Sequence, residues 1–253
     1  MSLFSDTSHL FVRSLKKLVR NPILLFFSLF QPIIFLLLFT QLFSGFARSS
    51  GIPNYAAFAL AGIVLQNGFS SAFQSGTAVV DDLRSGFLTK MLATPVSRTA
   101  ILLGRILSDV FRVIIQSTII LLLAIPLGAT ATTGVLGYIL ILFTIAFFGL
   151  AWSGISLSIG IKTRSAETVF GIAGTLTFPL LFMSTALTPY AALPDWMKIV
   201  STFNPISITV EAIRAPILVG FQLDKILPAF GVIGLIGIVT IGTTLYLYSK
   251  VIS

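Results

Sequence analysis

Three charged residues on one predicted helix, Arg105, Asp109 and Arg112, form the only cluster in the sequence that could carry protons within an apolar segment. Asp109 can pair with Arg105 four residues before it and with Arg112 three residues after it. A proton relay and structural ion pairs both remain open, and the position of these charges at the end of an apolar run favours ion pairs. His9, the only histidine, lies near the N-terminus among polar residues. A metal site needs several convergent donors, so the sequence predicts none.

A second polar set is uncharged and lies inside an apolar run. Gln66, Ser70 and Gln74 recur every four residues, and Asn67 stands beside the first of them. Exposing such a polar face to lipid costs free energy, so it must face another helix or a water-filled path through the membrane. Hydrogen bonds between packed helices are the favoured interpretation, and contact with a transported substrate is the other.

The sequence excludes a P-loop ATPase by one pattern. No lysine in the sequence follows a glycine, so the glycine-rich phosphate loop that ends in Gly-Lys is absent. The sequence also has no cysteine, which excludes disulfides and thiolate metal ligands. We therefore predict that this chain is not an enzyme, has no catalytic residues and holds no cofactor of its own.

The composition is that of an integral membrane protein. Hydrophobic residues make up 56% of the 253 residues and charged residues only 9%, and the mean hydropathy is +1.03. Soluble domains have about 25% charged residues, so this chain could not cover a water-facing surface. The net charge of +8 fits basic cytoplasmic loops better than nucleic-acid binding.

Six apolar runs are long enough to cross a bilayer as helices, so we predict an all-α fold. The predicted spans are residues 23–44, 55–80, 106–128, 134–160, 168–188 and 228–248. Lysine and arginine concentrate in the N-terminal segment, the second and fourth connections and the C-terminal tail. Because basic residues favour the cytoplasmic side, both termini are predicted to be cytoplasmic.

The N-terminal segment, residues 1–22, has the pattern of an amphipathic helix. Its basic residues recur at helical spacing, and apolar residues occupy the opposite side: Arg13, Lys16, Lys17 and Arg20 against Phe11, Leu15 and Leu18. Such a helix lies in the headgroup plane with its cations toward anionic lipid.

The second connection, residues 81–95, predicts a short cytoplasmic helix. Asp81 and Asp82 suit its start, because carboxylates favour the positive end of a helix dipole. Apolar residues then recur every four positions with basic residues beside them: Leu83, Phe87 and Met91, with Arg84 and Lys90. Docking into a groove on a soluble partner and packing on the membrane surface both remain open.

Residues 189–219, before the last span, predict a hairpin of two short helices. Pro194 and Asp195 suit a helix start. Asn204 and Pro205 then end one helix and begin another. Neither helix is long enough to cross a bilayer, so the hairpin should dip into the outer membrane surface, with Trp196 as an interfacial anchor. Glu211 and Arg214 can pair at i, i+3.

The stretches LPDWMKIVSTFNPISITVEAIR and LATPVSRTAILLGR, together with six spans, resemble the ABC type-2 exporter permeases, most closely those of the daunorubicin-resistance type. The likeness covers nearly the whole chain and implies a single transmembrane permease domain over residues 1–253. It also implies an amphipathic N-terminal helix at the cytoplasmic interface. It makes the second connection a coupling helix that contacts an ATPase, with Leu83, Arg84, Phe87, Lys90 and Met91. It makes the hairpin an extracellular gate, with Pro194, Trp196, Asn204, Pro205, Glu211 and Arg214.

The same resemblance implies partners and a direction of transport. The permease would form a homodimer in a prokaryotic inner membrane and bind two copies of a separate ATPase subunit, which holds ATP and Mg. Its cargo would be a drug, a lipid or a glycoconjugate, and the cargo would move outward. A secondary carrier or channel without an ATPase is the alternative, and a membrane scaffold without transport is a third possibility.

The cysteine-free sequence permits a direct test of orientation. Single cysteines at Ser50 and Thr132 should react with an impermeant thiol reagent added to intact cells, and one at Ser97 should react only after lysis. Labelling of the Ser97 variant in intact cells would contradict the predicted topology.

Overall fold

The computed structural model describes residues 7–9, 11–13, 16, 22–43, 45, 52, 54–87 and 98–251. These residues form helices joined by short turns, and no strand occurs among them. The helices with defined bounds are α1 (Pro22–Leu42), α2 (Tyr55–Arg84), α3 (Arg98–Ala124), α4 (Gly134–Thr163), α5 (Ala166–Phe182), α6 (Asp195–Phe203), α7 (Pro205–Leu218) and α8 (Leu223–Val251). Short 3-10 turns lie at Ile125–Leu127 and Tyr190–Ala192. Residues 7–9, 11–13 and 16, inside the predicted amphipathic segment, are also helical.

The central element is α2, which packs against α1, α3, α4, α5 and α7. All of residues 55–76 are buried except Ser70 and Gln74. At its middle, the ring of Phe69 meets Phe148 and Trp152 of α4 edge-on, with centroids 4.9 and 5.1 Å apart. A helix of 30 residues is about 45 Å long, so α2 is long enough to cross a bilayer.

Small residues bring α2 and α4 into close contact. A Cβ at Gly160 would lie 2.6 Å from the carbonyl oxygen of Gly76, and a Cβ at Gly76 would meet the carbonyl oxygen of Ser156 even more closely. The hydroxyl of Ser156 donates to the carbonyl of Ala72 at 2.5 Å. Close backbone approach through small residues is the usual way that helices associate in membranes.

Four helical segments of the described chain are long and apolar enough to cross a membrane: Tyr55–Arg84, Leu103–Leu127, Gly134–Thr163 and Leu223–Tyr248. Two further apolar segments of the described residues, Phe26–Leu42 within α1 and Ala166–Phe182, are shorter. The 17 residues of α5 span about 25 Å, a little less than a typical hydrocarbon core of about 30 Å, whereas the 21 residues of α1 span about 31 Å. The all-α, multi-pass membrane fold is confirmed, and the number of six spans stays a prediction.

The predicted cytoplasmic helix of residues 81–95 begins differently from the prediction. Asp81–Arg84 form the last turn of α2 instead of the first turn of a new helix. The amide of Ser85 caps α2 by donating to the carbonyl of Asp81 at 2.9 Å, and Gly86 follows with φ of +65°. A glycine in this conformation is a common helix stop. Leu83 and Phe87 therefore do not share one helical ridge, and residues 88–95, with Lys90 and Met91, lie outside the described residues.

The helices α6 and α7 have bounds close to those predicted for the hairpin. Pro194 stands at the N-cap of α6, and the chain changes direction at Asn204, which precedes Pro205 at the first position of α7. Proline suits this position because the first N–H of a helix has no intrahelical acceptor.

The contact between α2 and α4 yields a prediction about stability. Gly76→Ala should destabilise the protein by about 1–3 kcal/mol, because the added Cβ meets backbone that cannot rotate away. Gly171→Ala in α5 is the matched control, since a Cβ there has no neighbour within 4 Å among the described residues. Unfolding in mixed micelles with increasing dodecyl sulfate measures both. Equal midpoints for the two variants would contradict the proposed close contact.

Candidate transport site

A buried arginine connects the hairpin of α6 and α7 to the central helix. Arg214 of α7 is only 6% exposed, and its Nε donates to the carbonyl of Phe58 in α2 at 3.2 Å. Its Nη2 donates to the carbonyls of Thr185 and Ala186, in the connection between α5 and α6, at 2.6 and 3.2 Å. The guanidinium carbon lies 3.7 Å from the centroid of the Phe58 ring. One side chain thus fixes three parts of the chain to one another.

The charge of Arg214 is balanced by Glu211 on the same helix. Nη1 of Arg214 lies 2.6 Å from Oε1 of Glu211, and the hydroxyl of Thr185 donates to the same oxygen at 2.8 Å. Burial lowers the pKa of Arg214 to about 10, and the carboxylate of Glu211 opposes that shift. Arg214 therefore stays charged at neutral pH.

Other contacts hold α7 in the same place. Its buried apolar residues include Ile206, Val210, Ile213 and Ile217. The turn before α4 joins the end of α7, since the hydroxyl of Thr133 donates to the carbonyl of Pro216 at 2.9 Å. The hydroxyl of Tyr55, at the start of α2, donates to the carbonyl of Leu187 at 2.8 Å. The buried side chains and the bond from Thr133 hold α7 against the bundle, and the bond from Tyr55 holds the connection between α5 and α6.

The junction between α6 and α7 is fixed by Asn204. Its side-chain oxygen accepts from the amide of Ile206 at 2.9 Å, which caps α7. Its amide nitrogen donates to the carbonyls of Leu180 and Met183 at the end of α5, at 2.7 and 3.2 Å. The one residue therefore both begins α7 and attaches the junction to α5.

The helix α6 differs from α7 because it is held mainly at this junction. Ser201 is its one buried residue. Its apolar face, which comprises Trp196, Ile199, Val200 and Phe203, is exposed, and Phe203 reaches 81% exposure. The ion pair between Lys198 and Asp195, at 2.9 Å, lies at the surface. An apolar face without a partner in the described chain must meet lipid or another polypeptide.

A pocket of about 380 Å³ opens beside Glu211, between the hairpin and the start of α8. Its polar lining includes Thr185, Ser207, Asp224 and Lys225. Among the described residues, no three carboxylates or histidines converge on a possible metal position.

The polar set on α2 divides between buried and open positions. Gln66 and Asn67 are 7% and 1% exposed, so they face neighbouring helices. Asn67 donates to the hydroxyl of Ser117 in α3 at 3.5 Å. Ser70 is exposed and Gln74 is partly exposed. Together with Thr77 and Asp81, these two residues form an open polar strip along one side of α2, at helical spacings of three and four residues.

The charged cluster on α3 pairs partly with α2. Arg112 lies 3.0 Å from Asp109, and Asp109 accepts a hydrogen bond from Ser75. Arg112 also donates to the hydroxyl and the carbonyl of Ser71, at 3.0 and 2.8 Å. The predicted pairing of Asp109 with Arg105 is wrong, because Arg105 instead pairs with Asp82 in the last turn of α2 at 2.6 Å. This pair offsets the cost of a carboxylate near the negative end of the α2 dipole.

The C-terminal end of α2 also meets the N-terminal segment. Leu83 and Arg84 lie in its last turn, and the ring of Phe87 follows after Gly86. The guanidinium carbon of Arg13 lies 3.6 Å from the centroid of the Phe87 ring, a cation–π contact.

Several of these partners could not be assigned from the sequence. Phe58, Thr185 and Ala186 contribute backbone carbonyls, which carry no sequence signal. Ser71 and Ser75 lie on the buried side of α2, next to the polar residues that the pattern selected. The available signal was indirect: Arg214 has a single acidic neighbour in an apolar stretch, and a buried guanidinium needs more acceptors than one.

Comparison with known proteins identifies the class. The family model described as ABC-2 type transporter matches residues 6–218. The chain therefore belongs to this family and is a multi-pass transmembrane subunit of an ABC exporter, whose family implies an ABC ATPase partner.

Two relatives illustrate the likeness. The chain is 31% identical over 193 residues to the daunorubicin resistance ABC transporter permease protein of Streptomyces coeruleorubidus, which is 76% of this chain and 68% of that relative. A protein of Cyanophora paradoxa that carries the name of a transport permease is 31% identical over 221 residues, 83% of this chain and 76% of that relative.

The two ion pairs of the hairpin allow a matched experiment. Arg214→Met should lower the free energy of unfolding by about 3–5 kcal/mol, because it leaves Glu211 and three carbonyls without their donor. Arg214→Lys should recover part of the loss, since it keeps the charge and loses the planar fork. Lys198→Met breaks the exposed pair of the same spacing and should cost at most about 1 kcal/mol. Similar losses for Arg214→Met and Lys198→Met in dodecyl sulfate unfolding would show that Arg214 does not fix the hairpin.

Proposed function

We propose that the chain is the permease of an ATP-driven exporter in which α2 transmits motion from an ATPase subunit to an outer gate. The observation that carries this proposal is that α2 meets both regions. Near its outer end, the carbonyl of Phe58 accepts a hydrogen bond from Arg214 of α7. Its inner end is Arg84, and Phe87 follows three residues later. Phe58 and Arg84 are separated by 26 residues, about 39 Å along a helix. A push at the inner end of a continuous helix displaces its outer end without an intermediate joint.

The inner end of α2 and the residues after it form the proposed contact with the ATPase. Leu83, Arg84, Phe87, Lys90 and Met91 belong to this contact, with Leu83 and Arg84 on α2 and Phe87 beyond its cap. Two copies of the ATPase would bind ATP and Mg, and their closure would move the two contacts. Both termini would lie on the same, cytoplasmic side of a prokaryotic inner membrane.

The gate is the hairpin of α6 and α7. The contacts of α7 support a fixed arm, and the exposed apolar face of α6 supports a movable one. In a homodimer, the α6 faces of two copies would close the exit against each other, and an outward push would separate them. Pro194, Trp196, Asn204, Pro205, Glu211 and Arg214 belong to this unit.

The open polar strip of α2, Ser70, Gln74, Thr77 and Asp81, supports a cargo path between the two copies. Gln66 and Asn67 would instead act in packing, because both are buried within one chain. Arg105, Asp109 and Arg112 would hold α3 to α2 and have no role in ion coupling. The relatives named for drug resistance support a drug as cargo, and a lipid or a glycoconjugate would also suit a polar strip within an apolar bundle.

Binding to the ATPase tests this proposal. Phe87→Asp should remove the ATPase from a pull-down of the permease, because a carboxylate buried in an apolar contact is costly by several kcal/mol. Phe221→Asp is the matched control, since Phe221 is an exposed aromatic residue in the connection between α7 and α8, on the predicted outer side. It should leave ATPase binding unchanged.

Two results would contradict the proposal. If the parent protein transports cargo in vesicles without any ATPase, the chain is a secondary carrier or a channel. If Phe87→Asp binds the ATPase and transports as well as Phe221→Asp, the residues after α2 are not the contact.

A further inference from the structure

We propose that Arg105 is a latch residue with two alternative acceptors, Asp82 on α2 and Asp109 on α3. In the described conformation it holds the last turn of α2 against α3 through Asp82. When that turn separates from α3, Arg105 turns to Asp109, one turn along its own helix. The two acceptors are a property of this subunit alone, whereas the opening of the latch during export rests on the function proposed above.

Arg105 is bonded less completely than Arg112 and Arg214. Its Nη1 donates to Oδ2 of Asp82 at 2.6 Å, and this is its one hydrogen bond among the described residues. Its Nε is buried and has no acceptor there. Arg112 makes three bonds through Nε and Nη2, and all three nitrogens of Arg214 have partners. Because a buried donor without an acceptor destabilises the arrangement that contains it, the pair of Arg105 and Asp82 should be the first of the three to open.

The second acceptor lies on the same helix as Arg105. Asp109 follows it by four residues on α3, a spacing at which the side chains of a helix are neighbours. One oxygen of Asp109 meets Arg112, and the other accepts from Ser75. A carboxylate has about four acceptor sites, so Asp109 can receive a second guanidinium without releasing the first. Arg105 therefore has a carboxylate partner in both positions.

The carboxylate of Asp82 can also be accommodated when the pair opens. Residues 55–76 of α2 are nearly all buried, whereas none of residues 81–84 is. The side chain of Asp82 is 16% exposed and that of Arg105 is 19% exposed. Breaking an ion pair is costly mainly when a buried charge is left without compensation. Water at the end of α2 can hydrate Asp82, and Asp109 can compensate Arg105.

The pair also stands at the end of a row of polar contacts between α2 and α3. The row comprises Asn67 with Ser117, Ser71 with Arg112, Ser75 with Asp109, and Asp82 with Arg105. The ends of structured elements open at lower cost than their middles. Release of Arg105 therefore frees the last turn of α2 and leaves the other contacts of the row in place.

Thermodynamic coupling in the permease alone tests the two acceptors. If Arg105 turns to Asp109 once Asp82 is lost, Asp82→Asn and Asp109→Asn should not be additive in dodecyl sulfate unfolding. The double variant should lower the folding equilibrium constant roughly tenfold more than the two single losses together predict, because Arg105 then has no carboxylate. In an Arg105→Gln background this excess should vanish.

A matched pair of carboxylates serves as the control. Glu211 pairs with Arg214, so Asp82→Asn and Glu211→Gln should be additive. Additive losses for Asp82→Asn and Asp109→Asn would overturn the proposal. An excess that persists without the guanidinium of Arg105 would overturn it as well.

A distance measurement in the complex with the ATPase tests whether the latch opens. Spin labels at Ser85 and Leu103, both exposed, report the separation of the end of α2 from α3. ATP should lengthen this distance in the parent and not in Asp109→Asn, which lacks the second acceptor. Asp109→Glu keeps a carboxylate and should restore the change.

Two results of this measurement would contradict the latch. One is a parent distance that ATP leaves unchanged, and the other is an equal lengthening in Asp109→Asn. Failure of the permease to bind an ATPase would instead contradict the proposed function, and the coupling measured in the permease alone would still decide whether Arg105 has two acceptors.

Discussion

The structure depends on one buried guanidinium that joins three segments through backbone carbonyls. Arg214 bonds to Phe58, Thr185 and Ala186, and its charge is met by Glu211. A buried charge is tolerable in an apolar bundle only when its hydrogen-bonding groups have partners. Because four of these bonds converge on one side chain, α7 cannot leave α2 without exposing several polar groups to lipid. This cost makes α7 part of the bundle, and it supports our proposal that α6 is the arm of the hairpin that moves.

The hydrogen bonds of Arg214 also link α2 to the hairpin. Its N-terminal part is bonded to α7, its middle is packed on α4 through Gly76 and Gly160, and its C-terminal end is paired through Asp82 to Arg105 of α3. All three contacts occur along one continuous helix. We therefore expect that displacement of the C-terminal end of α2 moves α2, α4 and α7 together, as one unit. The polar strip from Ser70 to Asp81 lies on the side of α2 that these contacts leave open.

Much of this architecture could be predicted from periodicity and composition. The apolar runs predicted the helices. The Asn204-Pro205 pair predicted the break between α6 and α7, because both residues have strong positional preferences at helix starts. The start of a helix at Asp81 was predicted wrongly. Acidic residues there suggested an N-terminus, but the following Ser85 and Gly86 end α2, and Arg105 supplies the cation that permits a carboxylate in its last turn.

The contacts of the candidate site were less predictable for a physical reason. The acceptors of Arg214 are backbone carbonyls, which every residue has, so the sequence cannot mark them. The partner of Arg105 was also missed, since Asp82 lies 23 residues away and on another helix. The i, i+3 spacing of Glu211 and Arg214 was visible because both residues belong to one helix.

Distance measurement between spin labels tests most directly whether α6 moves while α7 stays with α2. Because the chain has no cysteine, single cysteines can carry the labels. One label is attached at position 85, just after α2, and the second at either Ile199 on α6 or Leu218 on α7. All three positions are exposed. Labelled chains are diluted with unlabelled ones and measured in complex with the ATPase, with and without ATP. The account predicts that the Ser85–Ile199 distance changes with ATP and that the Ser85–Leu218 distance does not. A change of the Ser85–Leu218 distance, or none in either, would contradict it.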